Sequence, residues 1–232
     1  MVNIRRSEDR GIGERSWLSS RHTFSFAGYH DPNFMGFRSL RVLNEDVVAP
    51  GMGFGTHPHR DMEIISYVVS GALQHRDSLG SGSVLRPGEI QRMSAGTGIT
   101  HSEFNASDDA PVHFLQIWIT PFETNIEPSY EQIRVAHPSL PGDLHLIASQ
   151  SGGNGVVKIH QDVAIYAGIF ERGHTAYYRR ARGRHLWLHV VRGTLAVNGD
   201  VLSRGDAAYT SDSESLHLSD ADGAEVLLFD LC

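Results

Sequence analysis

Two short runs, Thr56-His57-Pro58-His59 and Thr100-His101-Ser102-Glu103, constrain this chain more than any other feature. Each sets two metal-binding side chains at positions i and i+2. On an extended strand those positions share a face. If both runs are strands, laid side by side with those faces inward, His57, His59, His101 and Glu103 meet at a point. Three imidazoles and a carboxylate form a ligand set for a divalent transition metal. Iron, manganese, nickel, copper and zinc all suit it. A closed structural zinc site would be rich in cysteine, and Cys232 is the chain's one cysteine.

The flanking residues read as short strands punctuated by turns. Gly51, Gly53 and Gly55 are expected to form a loop that delivers the chain to a barrel mouth. Pro58 has no N–H to donate, which suits an edge or bulged position. Met62 to Val69 is an apolar run closed by Ser70-Gly71, and Ala72 to Asp77 returns the chain. Residues 22–48 alternate as two strands around the turn His30-Asp31-Pro32-Asn33. His22 and His30 lack a partner at ligand spacing and read as packing or surface histidines. Val112, Phe114, Gln116 and Trp118 share one face. On that face Gln116 is either a satisfied core amide or a group beside the metal. The Gly-rich residues 78–83 lack the lysine and helix of a phosphate loop.

Residues 121–129 are polar and contain proline, as at a domain junction. Beyond them the pattern returns. Residues 190–195 echo residues 68–73, and Arg204-Gly205-Asp206 echoes Pro87-Gly88-Glu89. Setting Gly193 on Gly71 carries His57, His59 and Glu63 onto Arg179, Ala181 and His185. Setting Gly205 on Gly88 carries His101 and Glu103 onto Leu218 and Asp220. The second half keeps the strand pattern and loses the ligand set, so His185, His189 and His217 read as ordinary histidines.

The chain has 232 residues and a formal net charge of −7, from 20 basic and 27 acidic residues. No basic block offers a nucleic-acid footprint, which argues against direct DNA binding. No apolar run approaches the ~20 residues that span a membrane. The first ten residues lack the apolar core of a signal peptide. A cytoplasmic setting is expected.

The spacing resembles the two-part motif of the cupin superfamily. Gly51 stands six residues before His57, then come His59, Glu63 and Gly71, and later Gly98, His101 and Asn105. Two departures stand out. The gap from Glu63 to Gly71 is one residue longer than usual, and Gly96 replaces a customary proline. The runs HTFSFAGYHDPNFMGFRSLRVLNED (22–46), GFGTHPHRDMEIISYVVSGALQHRDSLG (53–80) and MSAGTGITHSEFN (93–105) resemble the pirin family in its bacterial two-cupin form. The resemblance covers essentially the whole chain.

That resemblance implies an all-β bicupin, two tandem jelly-roll β-barrels facing each other. Residues 1–128 would form the metal-binding barrel and residues 129–232 a degenerate one without ligands. Terminal segments cross between barrels in such folds, so the junction near 128 need not be clean. One divalent ion per chain, Fe(II) favoured and Zn, Ni, Mn or Cu possible, would sit on His57, His59, His101 and Glu103. Many other cupins use the position of Glu63 instead. Glu63 lies four residues from His59, ~13 Å along an ideal strand, so Glu103 is expected as ligand and Glu63 outside the site. The implied activity is that of quercetin 2,3-dioxygenase, in which O₂ opens the central ring of a flavonol or similar phenol and carbon monoxide leaves. Glu103 is the expected catalytic base. The alternative is a metal-bearing regulatory module acting on a protein partner.

Overall fold

Alternating apolar and polar residues, interrupted by glycines at positive φ, turn more than half of the described residues into antiparallel strands. The structure, a computed structural model, describes residues 1–135 and 142–232. The first strands are β1 (Asn3–Arg5), β2 (Gly11–Arg15), β3 (Leu18–His22), β4 (Leu40–Val48), β5 (Gly53–His59) and β6 (Glu63–Ser70). Then follow β7 (Leu73–Asp77), β8 (Gly82–Leu85), β9 (Glu89–Ser94), β10 (Ile99–Asn105), β11 (Val112–Ile119) and β12 (Ser129–Arg134). The later ones are β13 (Leu144–Ser149), β14 (Val157–Lys158), β15 (Val163–Phe170), β16 (Ala176–Arg179), β17 (His185–Val197), β18 (Asp200–Ser203), β19 (Ala207–Thr210) and β20 (Ser215–Leu231). The described residues are almost free of helix, with one short 3-10 turn at Ser7–Asp9. No helix among the described residues is long and apolar enough to cross a membrane.

The chain forms two compact units, and they part elsewhere than at residue 128. Of the described residues, one unit contains 10–135 and 151–161; the other contains 1–9, 142–150 and 162–232. Hydrogen bonding explains the difference. The strand β12 pairs with β9 along its length, Ser129 opposite Ser94 and Arg134 opposite Glu89, so it completes the first unit. The strand β1 pairs with β19, which ties the start of the chain to the second. The polar stretch 121–128 is a loop inside the first unit, and Ser129 already belongs to β12.

The first unit packs a four-stranded sheet, β5-β10-β7-β8, with a seven-stranded one, β12-β9-β6-β11-β4-β3-β2. Val48, Val68, Leu73, Leu85, Val112 and Phe114 fill one core cluster, and Ile64, Met93, Ala95 and Ile99 another. Pro58 lies on β5 at the edge of the smaller sheet, where a missing N–H removes no outer ladder bond. Gly53 and Gly55 are part of this strand rather than of a loop before it. A Cβ on Gly53 would fall 2.3 Å from the Glu103 carbonyl oxygen and 2.5 Å from Phe104 Cα, so glycine is what lets β5 lie against β10. The strand expected from His22 to Phe26 ends at His22. There the Ser25 hydroxyl donates to the Asp31 carbonyl and accepts from the Asp31 amide, which folds the chain into a loop.

In the larger sheet, register sets a polar row across an otherwise apolar surface. His22 on β3 stands opposite Asn44 on β4, and Asn44 opposite Gln116 on β11. The row continues through Ser66 on β6 and Gln91 on β9 to Gln132 on β12.

In the second unit the strand order is β1-β19-β17-β20-β15-β13, with β16 on β20 and β18 on β17. Its core includes Phe170, Leu186, Leu188, Val190, Leu216, Leu218 and Leu228. Gly193, aligned above with the turn glycine Gly71, does not end a strand. It lies within the 13-residue β17, at φ +70 in a stretch of register shifts. A Cβ there would fall 2.2 Å from the Gly223 carbonyl oxygen, so the bulge depends on glycine.

Candidate metal centre

The strands β5 and β10 run antiparallel with His57 opposite His101. The Nε2 atoms of His57 and His59 each lie 3.0 Å from Nε2 of His101. Three rings therefore aim the same nitrogen at one volume. His57 Nδ1–H donates to the Gly55 carbonyl at 2.8 Å, which leaves its Nε2 as a bare lone pair. Burial, and then His57, hold the His59 ring below its ordinary value, at about 4. Burial, and then His57, His59 and His75, hold His101 at about 2. His59 and His101 are therefore neutral donors. Two nitrogens bound at a right angle, each ~2.1 Å from one ion, would be about 3.0 Å apart. The donor set fits a divalent metal in both chemistry and spacing.

Glu103 is fully enclosed. Its carboxylate accepts from Ser66 Oγ at 2.9 Å and from Gln116 Nε2 at 2.7 Å. Burial raises it to about 7, against the pull of Ser66; the nearby Asp46 adds to the rise and Gln116 opposes it. Its oxygen groups with ring nitrogens of His101 and His75, all within 4.8 Å, while the three-histidine group is His57, His59 and His101. So the structure brings the histidines together and sets Glu103 beside His101. A register shift between His101 and Glu103 against β5 accompanies this arrangement. Gln116 is the amide that holds Glu103. Glu63 is held apart. Its carboxylate accepts from Ser94 Oγ at 3.0 Å and from the His160 amide at 3.2 Å, and the His160 ring lies alongside.

Two residues that sequence reasoning passed over complete the setting. His75 and Asp77, on β7, stand opposite Glu103 and His101 on β10. His75 Nε2–H donates to Asp77 Oδ2 at 2.9 Å, so its Nδ1 is an acceptor. Gln91 Nε2 donates to that Nδ1 at 3.2 Å, and His101 Nδ1 faces it at 3.5 Å. This chain favours the His101 tautomer that leaves Nε2 bare toward His57 and His59. The signal was available in sequence: His75-Arg76-Asp77 is another i, i+2 pair.

In the second unit, Arg179 is exposed and Leu218 is fully buried in the apolar core. His185 meets the Ser211 hydroxyl at 2.8 Å, and His217 stacks on Tyr177. Among the described residues, the groups of His, Cys, Asp and Glu side chains that could hold a metal draw on residues 57–103.

A cavity of about 720 Å³ opens beside the histidines. Trp17, Phe26, Phe54 and Trp118 line it, together with Asp46. Trp118 meets the edge of His59 at 5.0 Å. Burial raises Asp46 to about 6, against the Ser20 hydroxyl and Arg10. A carboxyl whose folded value exceeds its unfolded one favours the folded state at low pH. That contribution is lost as pH climbs from about 4 to about 6. Asp46→Asn should therefore be more stable than wild type at pH 8, by up to about 3 kcal/mol, and no more stable below pH 4. Thermal melts at both values check the sign, and a variant no more stable at pH 8 would contradict it.

Two antiparallel sheets around an inward histidine cluster define a cupin barrel, here one with a metal-binding donor set. Residues 5–119 match the family model described as Pirin, and residues 146–231 the one described as the quercetinase C-terminal cupin domain. The chain belongs to the pirin family. It is 44% identical over 231 residues to the quercetin 2,3-dioxygenase of Escherichia coli (strain K12), covering 100% of this chain and 99% of that protein. The crystal structure of YhhW from Escherichia coli superposes with a TM-score of 0.95 at 44% identity, covering 100% of this chain and 98% of that one. The bacterial pirin YhhW in complex with nickel(II) superposes with a TM-score of 0.94 at 44% identity, covering 100% and 99%. The chain is thus quercetin 2,3-dioxygenase-like over its full length.

Proposed function

We propose that this chain is a metal-dependent dioxygenase acting on a flavonol such as quercetin. In the balanced reaction the flavonol and O₂ are consumed. One carbon of the central ring leaves as carbon monoxide, and the rest is released as a ring-opened ester. The observation that carries this reading is the convergence of three bare imidazole nitrogens beside an aromatic-lined cavity. His57, His59 and His101, with Glu103 beside them, would hold one divalent ion, with Fe(II) favoured. Bound there, the ion would supply a Lewis-acidic position that eases loss of the flavonol 3-hydroxyl proton. Glu103 accepts that proton, and Ser66 and Gln116 fix the direction of its carboxylate. Trp17, Phe26, Phe54 and Trp118 offer flat apolar faces that orient a planar ring system and exclude water from it. The relatives named quercetin 2,3-dioxygenase support the assignment.

The test is O₂ uptake and carbon monoxide release with quercetin, on protein loaded separately with Fe, Mn, Ni and Cu. Both are expected with at least one metal. If no flavonol drives O₂ uptake with any of them, the regulatory reading displaces this one.

A further inference from the structure

The cavity beside the histidines has a polar wall of which the reaction above uses only the Gln116 amide N–H. Register builds it. His22, Asn44 and Gln116 are the cavity end of the polar row across the larger sheet, and Asp46 lies two residues along β4 on the same face. All four line the cavity. At the far end of the row the side chains are satisfied by the protein. Ser66 donates to Glu103, Gln91 donates to His75 and accepts from Tyr130, and Gln132 also accepts from Tyr130.

At the cavity end they are not. His22 Nδ1, Asn44 Oδ1 and Gln116 Oε1 are buried without a hydrogen-bond partner. Their residues are only 7%, 3% and 8% exposed. Buried polar atoms are paired in nearly all cases, and each exception calls for an explanation. Three in one row share an explanation: the atoms are closed off in this conformation, and a turn of the two amides and the ring would present them to a ligand in the cavity that supplies the missing hydrogens. The wall is rich in acceptors. It offers two amide oxygens and the Asp46 carboxyl, with a His22 ring that burial, Arg10 and Arg21 keep neutral. Such a wall takes O–H donors. Adjacent strands lie about 4.8 Å apart, so the row runs about 10 Å from Gln116, which touches Glu103, to His22. That is the scale of a fused ring system.

Resting on the flavonol reading, we propose that His22, Asn44, Asp46 and Gln116 bind the ring hydroxyls remote from the metal-binding oxygens. The site would then select polyhydroxylated flavonols over a flavonol bare at those positions. A site built to hydrogen-bond a hydroxyl discriminates strongly against the analogue lacking it, because its own buried groups stay unpaired.

The experiment compares quercetin with 3-hydroxyflavone, which keeps the 3-hydroxyl and 4-carbonyl and has no other hydroxyl. Both are titrated anaerobically into nickel(II)-loaded protein, so that binding is read by tryptophan fluorescence without turnover. Wild type is expected to bind quercetin at least ~tenfold more tightly. In Asn44→Leu, and separately in His22→Leu, the preference should shrink to about threefold. Quercetin should weaken and 3-hydroxyflavone should be unchanged, which also reports that the variant is folded. Equal binding of the two ligands by wild type would overturn the inference, with no variant needed, and would leave the flavonol reading standing. Equal weakening of both ligands in the two folded variants would also overturn it. If neither flavonol binds wild type, the flavonol reading itself fails and this inference falls with it.

Discussion

His101→Ala protein should emerge from purification with at least ~tenfold less divalent metal than wild type, which should carry about one ion per chain. His101 is the shared member of the histidine group: both 3.0 Å contacts run through its Nε2. Removing it leaves His57 and His59 as a lone pair on an edge strand. It also removes the ring that His75 faces. His185→Ala, in the second unit, serves as the control and should keep full occupancy. Elemental analysis of the three proteins decides the matter. Full occupancy in His101→Ala would mean that the metal sits elsewhere.

The second large effect concerns Glu103. Glu103→Gln should lower quercetin turnover at least ~tenfold after correction for metal content, since a positioned base contributes ~10²–10⁴-fold. The substitution is nearly isosteric. The new carboxamide keeps one acceptor for Gln116 Nε2, and the Ser66 hydroxyl can rotate to accept from its NH₂ group. The pocket is therefore expected to survive while the proton acceptor is lost. Anaerobic quercetin binding by the variant separates the two effects. Retained binding with lost turnover assigns the proton to Glu103. Unchanged metal-corrected turnover would reduce Glu103 to a ligand at most.

The ligand strands were legible because parity is local. His57 and His59, or His101 and Glu103, need only an extended backbone to share a face. That Glu63 lies apart from the histidines has a different cause from the one expected: the chain leaves β5 at His59 and enters the other sheet at Glu63, so the two are not separated along one strand. The polar row was not legible. His22, Asn44 and Gln116 lie far apart in sequence and meet only through the register of three strands, which no single strand's alternation encodes. His75 lay in plain view at i, i+2 from Asp77, but an imidazole facing another imidazole is a relation across strands. The turn glycines divide similarly. Gly71 sits at a turn, as its sequence context suggested. Gly193, in a matching context, is absorbed into a long bulged strand by its approach to Gly223.

The exchange of segments between the two units bears on how the chain can be made. The strand β1 is made before its partner β19, which follows about two hundred residues later. The first unit is also unfinished when the residues from His57 to Glu103 have emerged. Glu63 is fully buried in the finished unit, yet one of its donors, the His160 amide, comes nearly a hundred residues behind it. Neither unit can close during synthesis by simple vectorial addition. Non-local pairing of this kind is slow and leaves strand edges exposed while it waits. Translation rate and chaperone supply should therefore govern the soluble yield of this protein more than they would for two barrels strung in series. A circular permutant that places residues 1–9 directly after residue 232 would shorten that wait for the second unit.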